Sequence, residues 1–254
     1  VVLLKGFDFM PFSFPVGLIA AQNSGGSNDP DFDKVVLLIK GEGTPGTSAV
    51  DSSSYALDLP GVGHNGSVAI SDEQAKFGTG SLKFSSGFDF QYIPNNPALY
   101  AELKEFTFET WFYPTFFTGN DTYSGALWRT DLRWKLLVMG DTGFLRYKDT
   151  NTDGSGSGLT LNGNNPLTLN AWNFIQVRRK IQPDLSLMVE LRLNGELEAS
   201  GISTANFFYY GGSNPALNTI GADGDSIHGY VDELRYTVGV ARSTAVPTAA
   251  FPIN

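Results

Sequence analysis

What most constrains this chain is the spacing of its apolar residues. Nowhere does a helical period persist for three turns, whereas "FTFETWFYP" (106–114) alternates, with Phe106, Phe108, Thr110 and Phe112 on one face and Glu109, Trp111 and Tyr113 on the other. Successive side chains of a strand point to opposite faces, so this segment predicts a strand with one buried side. "AWNFIQVRR" (171–179) repeats the pattern with Ile175 and Val177 inward. "LSLMVELRLNGELEAS" reads as a hairpin in which Leu187, Val189, Leu191 and Leu193 line one face, Glu190 and Arg192 face away, and Asn194-Gly195 supply the positive φ of a type I′ turn. "WKLLVMGDTGFLRYKD" (134–149) is a second hairpin about Gly140–Gly143, and the continuous run "KVVLLIKG" predicts a central strand covered on both faces. With 29 Gly and 13 Pro among 254 residues to punctuate them, many half-apolar strands are most simply buried as two antiparallel sheets packed face to face. The expected class is all-β, in one main domain.

Charge and composition exclude several functions. A net charge of −9 opposes nucleic-acid binding, which depends on basic groups displacing counterions from phosphates. The basic cluster Arg178, Arg179 and Lys180 ends a predicted strand and is expected to be solvated. With no cysteine there are no disulfides, thiolate metal sites or thiol nucleophiles, and only His64 and His228, both placed in Gly-rich turns, offer an imidazole. "FPVGLIAA" (14–21) is too short for a membrane span, which needs about 20 residues. It also lacks the charge and cleavage pattern of a signal peptide, so the segment is expected to belong to the mature protein.

Residues 1–33 differ from the rest. "VVLLKGFDFMPFSFPVGLIAAQ" is rich in Phe and Pro, and "NSGGSNDPDFD" after it has the composition of an acidic linker. Such an arm cannot build a core alone, so Phe7, Phe9, Phe12, Phe14, Leu18 and Ile19 are expected to bind a partner surface, either the main domain or another chain. Residues 34–254 form the expected domain.

The stretch "GYVDELRYTVGVAR" (229–242) poses a question of its own. Tyr230, Leu234 and Tyr236 share one parity, Val231 falls out of step, and Asp232 and Glu233 stand adjacent in the middle of an apolar strand. If Val231 and Leu234 both face the core, a β-bulge must absorb the extra residue between them and turn Asp232 or Glu233 away from it.

Read in order, "VVLLIKGEGTPGTSAVDSSS", "ISDEQAKFGTGSLKF", "FTFETWFYP", "AWNFIQVRR", "LRLNGELEASG", "NTIGA" and "GYVDELRYTVGVAR" resemble the laminin-G-like, concanavalin A-like jelly rolls common in bacteriophage virion proteins. The resemblance spans about residues 33–253 and implies a two-sheet antiparallel jelly-roll sandwich preceded by an extended N-terminal arm. The chain departs from the family's usual residues at Lys40, at Glu42-Gly43, at Trp172-Asn173-Phe174 and at Ser243. Relatives of this kind hold a structural Ca²⁺ where first and last strands meet, which by resemblance implies Glu42, Asp51 and Asp232 as ligands, hard-cation oxygens all. The alternative is that Asp232 caps a turn and Glu233 pairs with Arg235 or Arg178.

Three other strings look like sites and have plainer readings. "GVGHNG" (61–66) is followed by a strand rather than a helix, so it is a turn. "DTNTDG" (149–154) places Asp149, Asn151 and Asp153 before Gly154 as a calcium loop would, but Thr160 stands where the bidentate Glu belongs. Asp223 and Asp225 in "GADGDS" (221–226) likewise read as a turn or as ligands.

Glycoside hydrolases of this architecture need two carboxylates roughly 5 to 10 Å apart across the scissile bond. The E-x-D-x-x-E string of laminarinase-like relatives is absent, Glu109 is alone on its strand, and Glu190, Glu196 and Glu198 are expected to face solvent, so no catalysis is expected. A glycan-binding surface needs aromatic platforms, for which Trp128, Trp134, Tyr147, Tyr209 and Tyr210 are the candidates. The resemblance implies a non-enzymatic virion component, a head decoration or a tail-fibre or baseplate part. Its arm would dock on other virion proteins in a multimeric particle while the jelly roll faces outward and binds host polysaccharide. The alternative is a free or cell-surface carbohydrate-binding lectin.

Overall fold

The computed structural model describes residues 28–60, 68–85, 89–117, 124–130, 134–150, 157–205, 218–221 and 227–254. The candidates Tyr209, Tyr210, His64, Asn151, Asp153, Asp223 and Asp225 and the arm residues Phe7, Phe9, Phe12, Phe14, Leu18 and Ile19 lie outside them.

In chain order the strands are β1 (Val35–Ile39), β2 (Ala69–Ser71), β3 (Ser81–Phe84), β4 (Gln91–Ile93), β5 (Phe106–Phe116), β6 (Ser124–Thr130) and β7 (Trp134–Met139). They continue with β8 (Phe144–Thr150), β9 (Ser157–Pro166), β10 (Asn173–Ile181), β11 (Leu187–Leu193), β12 (Glu196–Ser203), β13 (Asn218–Ile220) and β14 (His228–Val238). Among the described residues the only helices are the two 3-10 turns Phe32–Lys34 and Pro97–Leu99. One sheet runs β12-β11-β10-β5-β14-β3-β2, with β1 also paired to β14, and the other runs β4-β13-β6-β7-β8-β9. Every pairing is antiparallel. The fold is the all-β, two-sheet sandwich that the alternation predicts.

The alternating residues meet between the sheets. Phe106, Phe108 and Phe112 of β5, Ile175 and Val177 of β10 and Val189, Leu191 and Leu193 of β11 are buried against Leu136, Leu145 and Leu161 of the facing sheet. Ring packing fills the centre: Phe106 stacks on Trp134 at 5.3 Å, Phe108 lies 5.4 Å from Trp128, and Trp134 lies 5.8 Å from Tyr147. The type I′ turn forms as its residues require, with Asn194 at φ 51° and Gly195 at φ 87°, and the Asn194 side chain accepts the Phe174 N–H.

β1 is covered on both faces, but it lies along β14 only, beside β3, rather than in the middle of the sheet. Its Leu37 joins the core between the sheets, while Val35 and Leu38 join Trp111, Phe174 and Phe251 in a second apolar cluster on the outer face of the larger sheet. The chain's last residues form the cover of that cluster. The Phe251 N–H donates to Glu233 (2.7 Å), Lys40 Nζ donates to the Phe251 carbonyl (2.7 Å), and the Phe251 ring lies 3.8 Å from the Arg235 guanidinium. Asp29, although in the linker-like stretch, is built into the same surface. It accepts from Arg235 (3.0 Å) and Arg242 (2.9 Å), and its N–H donates to the carbonyl of Asn254 (2.9 Å).

The basic cluster overturns its expectation. Arg179 is 0% exposed, its guanidinium donating to the carbonyls of Ala101, Glu102, Lys104 and Ala205. Alternation explains the error: Arg179 shares the inward parity of Ile175 and Val177, and its charge is satisfied by loop carbonyls at one end of the sandwich. Arg178 and Lys180, on the opposite face, both pair with Glu190.

The bulge expected in 229–242 is present. Val231 pairs with Phe112 and Asp232 with Trp111, but the next aligned pair is Arg235 with Glu109, so Glu233 and Leu234 together oppose Thr110. Glu233 takes φ 47° to absorb the extra residue. Parity therefore reverses along the strand. Val231, Leu234 and Tyr236 all face the core, while Tyr230 and Asp232 face outward with Tyr113 and Trp111.

Candidate functional site

The reversal of parity creates a row of aromatic side chains on the outer face of the larger sheet. Tyr113 of β5 pairs directly with Tyr230 of β14, which pairs with Lys83 of β3. Trp172, just ahead of β10, reaches the other side of Tyr113. The Tyr113 ring lies 5.5 Å from Trp172 and 6.0 Å from Tyr230, both edge to face. Strands lie about 4.8 Å apart, so from Trp172 to Lys83 the row crosses the strands over roughly 14 Å. Tyr113 and Trp172 are half-buried among the described residues.

The row ends in polar groups. Tyr230 donates its hydroxyl to Glu73 (2.7 Å), and Lys83 closes on the other oxygen of the same carboxylate. The hydrogen bond from Lys83, then that from Tyr230, holds the Glu73 carboxyl below its usual range. Burial, then the neighbouring Glu73, pushes Tyr230 up to about 12, so its hydroxyl keeps its proton at any ordinary pH. Tyr230 itself is buried, so the surface offers the partly exposed rings of Tyr113 and Trp172, with a carboxylate acceptor and an ammonium donor at the end of the row. Such a surface can stack on sugar rings and hydrogen-bond their hydroxyls.

The expected platforms are elsewhere. Trp128, Trp134 and Tyr147 are at most 2% exposed, packed between the sheets, and present no ring face to a ligand. Core packing accounts for them: they are the large aromatics of β6, β7 and β8 that meet Phe106, Phe108 and Tyr236. Of the residues that do form the row, Tyr113 was legible in the alternation of 106–114, which sets it opposite the core phenylalanines. Trp172 carries the outward parity of Phe174. Tyr230 was hidden, because its spacing from Leu234 matches a core position until the bulge is inserted.

Glu42, Asp51 and Asp232 do not fit a calcium ion. Asp51 already accepts from the N–H groups of Leu38, Ser53 and Leu57 and from the Ser53 hydroxyl. Asp232 accepts from the N–H groups of Lys76 (2.8 Å), Phe77 (3.1 Å) and Glu233 (2.8 Å), and Glu42 is taken by Thr79. Among the described residues no three His, Cys, Asp or Glu side chains form a set able to hold a metal. Asp232 does cap a turn, between β2 and β3, but Glu233 pairs with Lys40 (3.3 Å) rather than with an arginine. Burial, opposed by its N–H donors, raises Asp232 to about 7.

The acids expected to face solvent are also engaged. Glu190 is held by Arg178, Arg192 and Lys180, which outweigh the opposing effect of its burial and bring it down to about 2. Glu198 is buried and accepts the N–H groups of Asn164 and Asn165, whereas Glu196 is exposed. Glu109 bridges to Arg235 (2.6 Å). Asp149 turns inward to Ser203, Tyr147 and the Leu159 N–H. His228 opens β14 instead of sitting in a turn, edge-on to Phe116.

Comparison with known proteins adds three findings. Residues 85–240 match the family described as the concanavalin A-like lectin/glucanases superfamily. No curated protein matches the sequence. Among solved structures, the chain is similar to the binding domain of Paraclostridial Mosquitocidal Protein 1, with a TM-score of 0.62 at 14% identity over 83% of this chain and 50% of that one. It is also similar to the botulinum neurotoxin serotype D ligand-binding domain in complex with N-acetylneuraminic acid, with a TM-score of 0.57 at 16% identity over 84% and 49%. A third is the binding domain of botulinum neurotoxin DC in complex with rat synaptotagmin II, with a TM-score of 0.56 at 12% identity over 83% and 50%. The chain spans about half the length of each of these structures, and the likeness is one of fold.

Proposed function

This chain belongs to the concanavalin A-like lectin/glucanase superfamily, and from that premise we propose that it is a non-catalytic, carbohydrate-binding module. The observation that carries the reading is the row Trp172–Tyr113–Tyr230, ending at Lys83 and Glu73 on the outer face of the larger sheet. A pyranose stacks on an aromatic ring through its C–H face, and its hydroxyls need donors and acceptors at the ring's margin. Both are in place. The similar toxin domains are themselves binding domains, one solved with a sugar and one with a protein. The test is a glycan array followed by titration calorimetry on the best ligand. Trp172→Ala and Tyr113→Ala each weaken that binding about tenfold, the worth of one aromatic contact, while the melting transition stays cooperative. Undiminished binding in both variants refutes the assignment of the row.

We propose further that the module is displayed on the surface of a bacteriophage particle by the arm ahead of Asp29, which docks on other virion proteins. Support comes from the order of the seven sequence blocks and from the Phe- and Pro-rich composition of that segment. Deleting residues 1–27 then abolishes association with particles and leaves sugar binding unchanged. Particle association that survives the deletion refutes the role of the arm.

A further inference from the structure

Resting on the glycan-binding reading above, we infer that the ligand is an acidic oligosaccharide whose carboxylate is held by Lys76. The loop between β2 and β3 is pinned to the sheet by Asp232, which takes the N–H groups of both Lys76 and Phe77. This places the Lys76 ammonium 3.8 Å from the centre of the Trp111 ring and 5.5 Å from that of Phe77. Lys34, Lys40, Lys83, Lys104 and Lys180 each face a carboxylate. The Lys76 ammonium has no ion-pair or hydrogen-bond partner among the described residues. A cation resting on a ring keeps its opposite side free for an anion.

Trp111 is outward-facing and two residues before Tyr113 on the same strand, so the ammonium lies roughly 7 Å along the strand from the aromatic row. That is about the distance from a sugar ring stacked on Tyr113 to a carboxylate on that ring or its neighbour. The chain carries a net charge of −9, and an acidic glycan approaches it favourably only where such a local cation is unneutralised.

The test uses a panel of uronic-acid trisaccharides and the neutral trisaccharides made by reducing their carboxyl groups. Binding of each pair is measured by calorimetry to the full chain at low and at moderate salt. The full chain prefers the acidic member of at least one pair by about fivefold or more at low salt, as expected for one partly exposed charge pair, and the preference shrinks as salt rises. Lys76→Met keeps the apolar stem on Trp111 and removes the preference without weakening the neutral ligand, while Lys76→Arg restores it. Equal affinity for both members of every pair, or a preference that survives in Lys76→Met, overturns the assignment of Lys76 and leaves glycan binding standing. No binding to either member of any pair, with the array also negative, overturns both.

Discussion

Replacing Arg179 by methionine is the sharpest test of how this sandwich is closed at its end. Among the described residues the guanidinium donates to four carbonyls, those of Ala101, Glu102, Lys104 and Ala205. Methionine preserves the apolar stem but donates nothing. Glu102 and Lys104 are solvent-accessible and their carbonyls can recruit water, and the Ala101 carbonyl keeps the Lys104 N–H (2.7 Å), whereas the carbonyl of Ala205, 0% exposed, is left with neither among the described residues. One stranded carbonyl at about 1 to 3 kcal/mol gives a loss of about 2 kcal/mol. Recovering the desolvation cost of a buried charge does not cancel it. Swapping a buried ion pair for apolar groups can be neutral because both partners leave, but here the acceptors are backbone and stay. For a domain of this size the loss lowers Tm by about 5 °C, and Arg179→Lys, with one compact ammonium in place of a fork, falls in between. Urea titration followed by intrinsic tryptophan fluorescence measures it directly, because Trp128 and Trp134 are both in the core. A loss under about 1 kcal/mol for Arg179→Met would refute the idea that the carbonyls depend on it.

Other expectations follow from the same surfaces. Asp232 is held near 7 in the folded protein against 3.8 when free, so its contribution to stability is complete below pH 3.8 and is lost as pH rises through about 7. Glu190, held near 2, acts in the opposite sense only at lower pH, so between pH 5 and 8 stability falls with rising pH. Asp232→Asn cannot ionise and flattens that slope in denaturant melts; an unchanged slope places the titration elsewhere. Gly229 sits at φ 139°, where an added Cβ would lie 2.0 Å from the Tyr113 carbonyl oxygen. Gly229→Ala therefore costs about 3 kcal/mol or more and disturbs the Tyr113–Tyr230 pair, so a melt within about 1 kcal/mol of the parent contradicts the packing described. Chelating divalent cations leaves Tm within about 1 °C, because Glu42, Asp51 and Asp232 are already occupied by N–H and O–H donors; a fall of several degrees requires a cation site of other residues.

The β class, the sandwich and most strand faces were readable because they rest on local periodicity and turn chemistry. The Phe106–Phe108–Phe112 face, the Asn194-Gly195 turn and the bulge implied by Val231 and Leu234 all stand in the structure where spacing places them. What spacing does not carry is which of several similar aromatics meets another sheet and which meets water. Trp128, Trp134 and Tyr147 look as well suited to a sugar as Trp172 and Tyr113, and only the facing sheet buries the first three. Charge misled in the same way at Arg179, since the carbonyls that accept it come from residues about 75 positions earlier and 26 later in the chain.

The sequence by itself determined which segments become strands, which side of each is apolar, and that residue 233 or its neighbour must bulge, because these follow from a two-residue repeat and from the few conformations a turn allows. Tertiary structure alone decided that residues 28–34 and the C-terminal residues cover one part of the larger sheet's outer face and that, among the described residues, Trp172 and Tyr113 beside it stay half-exposed. The contacts that settle it, from Asp29 to Arg235 and Arg242 and from Lys40 to Phe251, join residues more than two hundred positions apart, and no local pattern encodes a pairing over that distance.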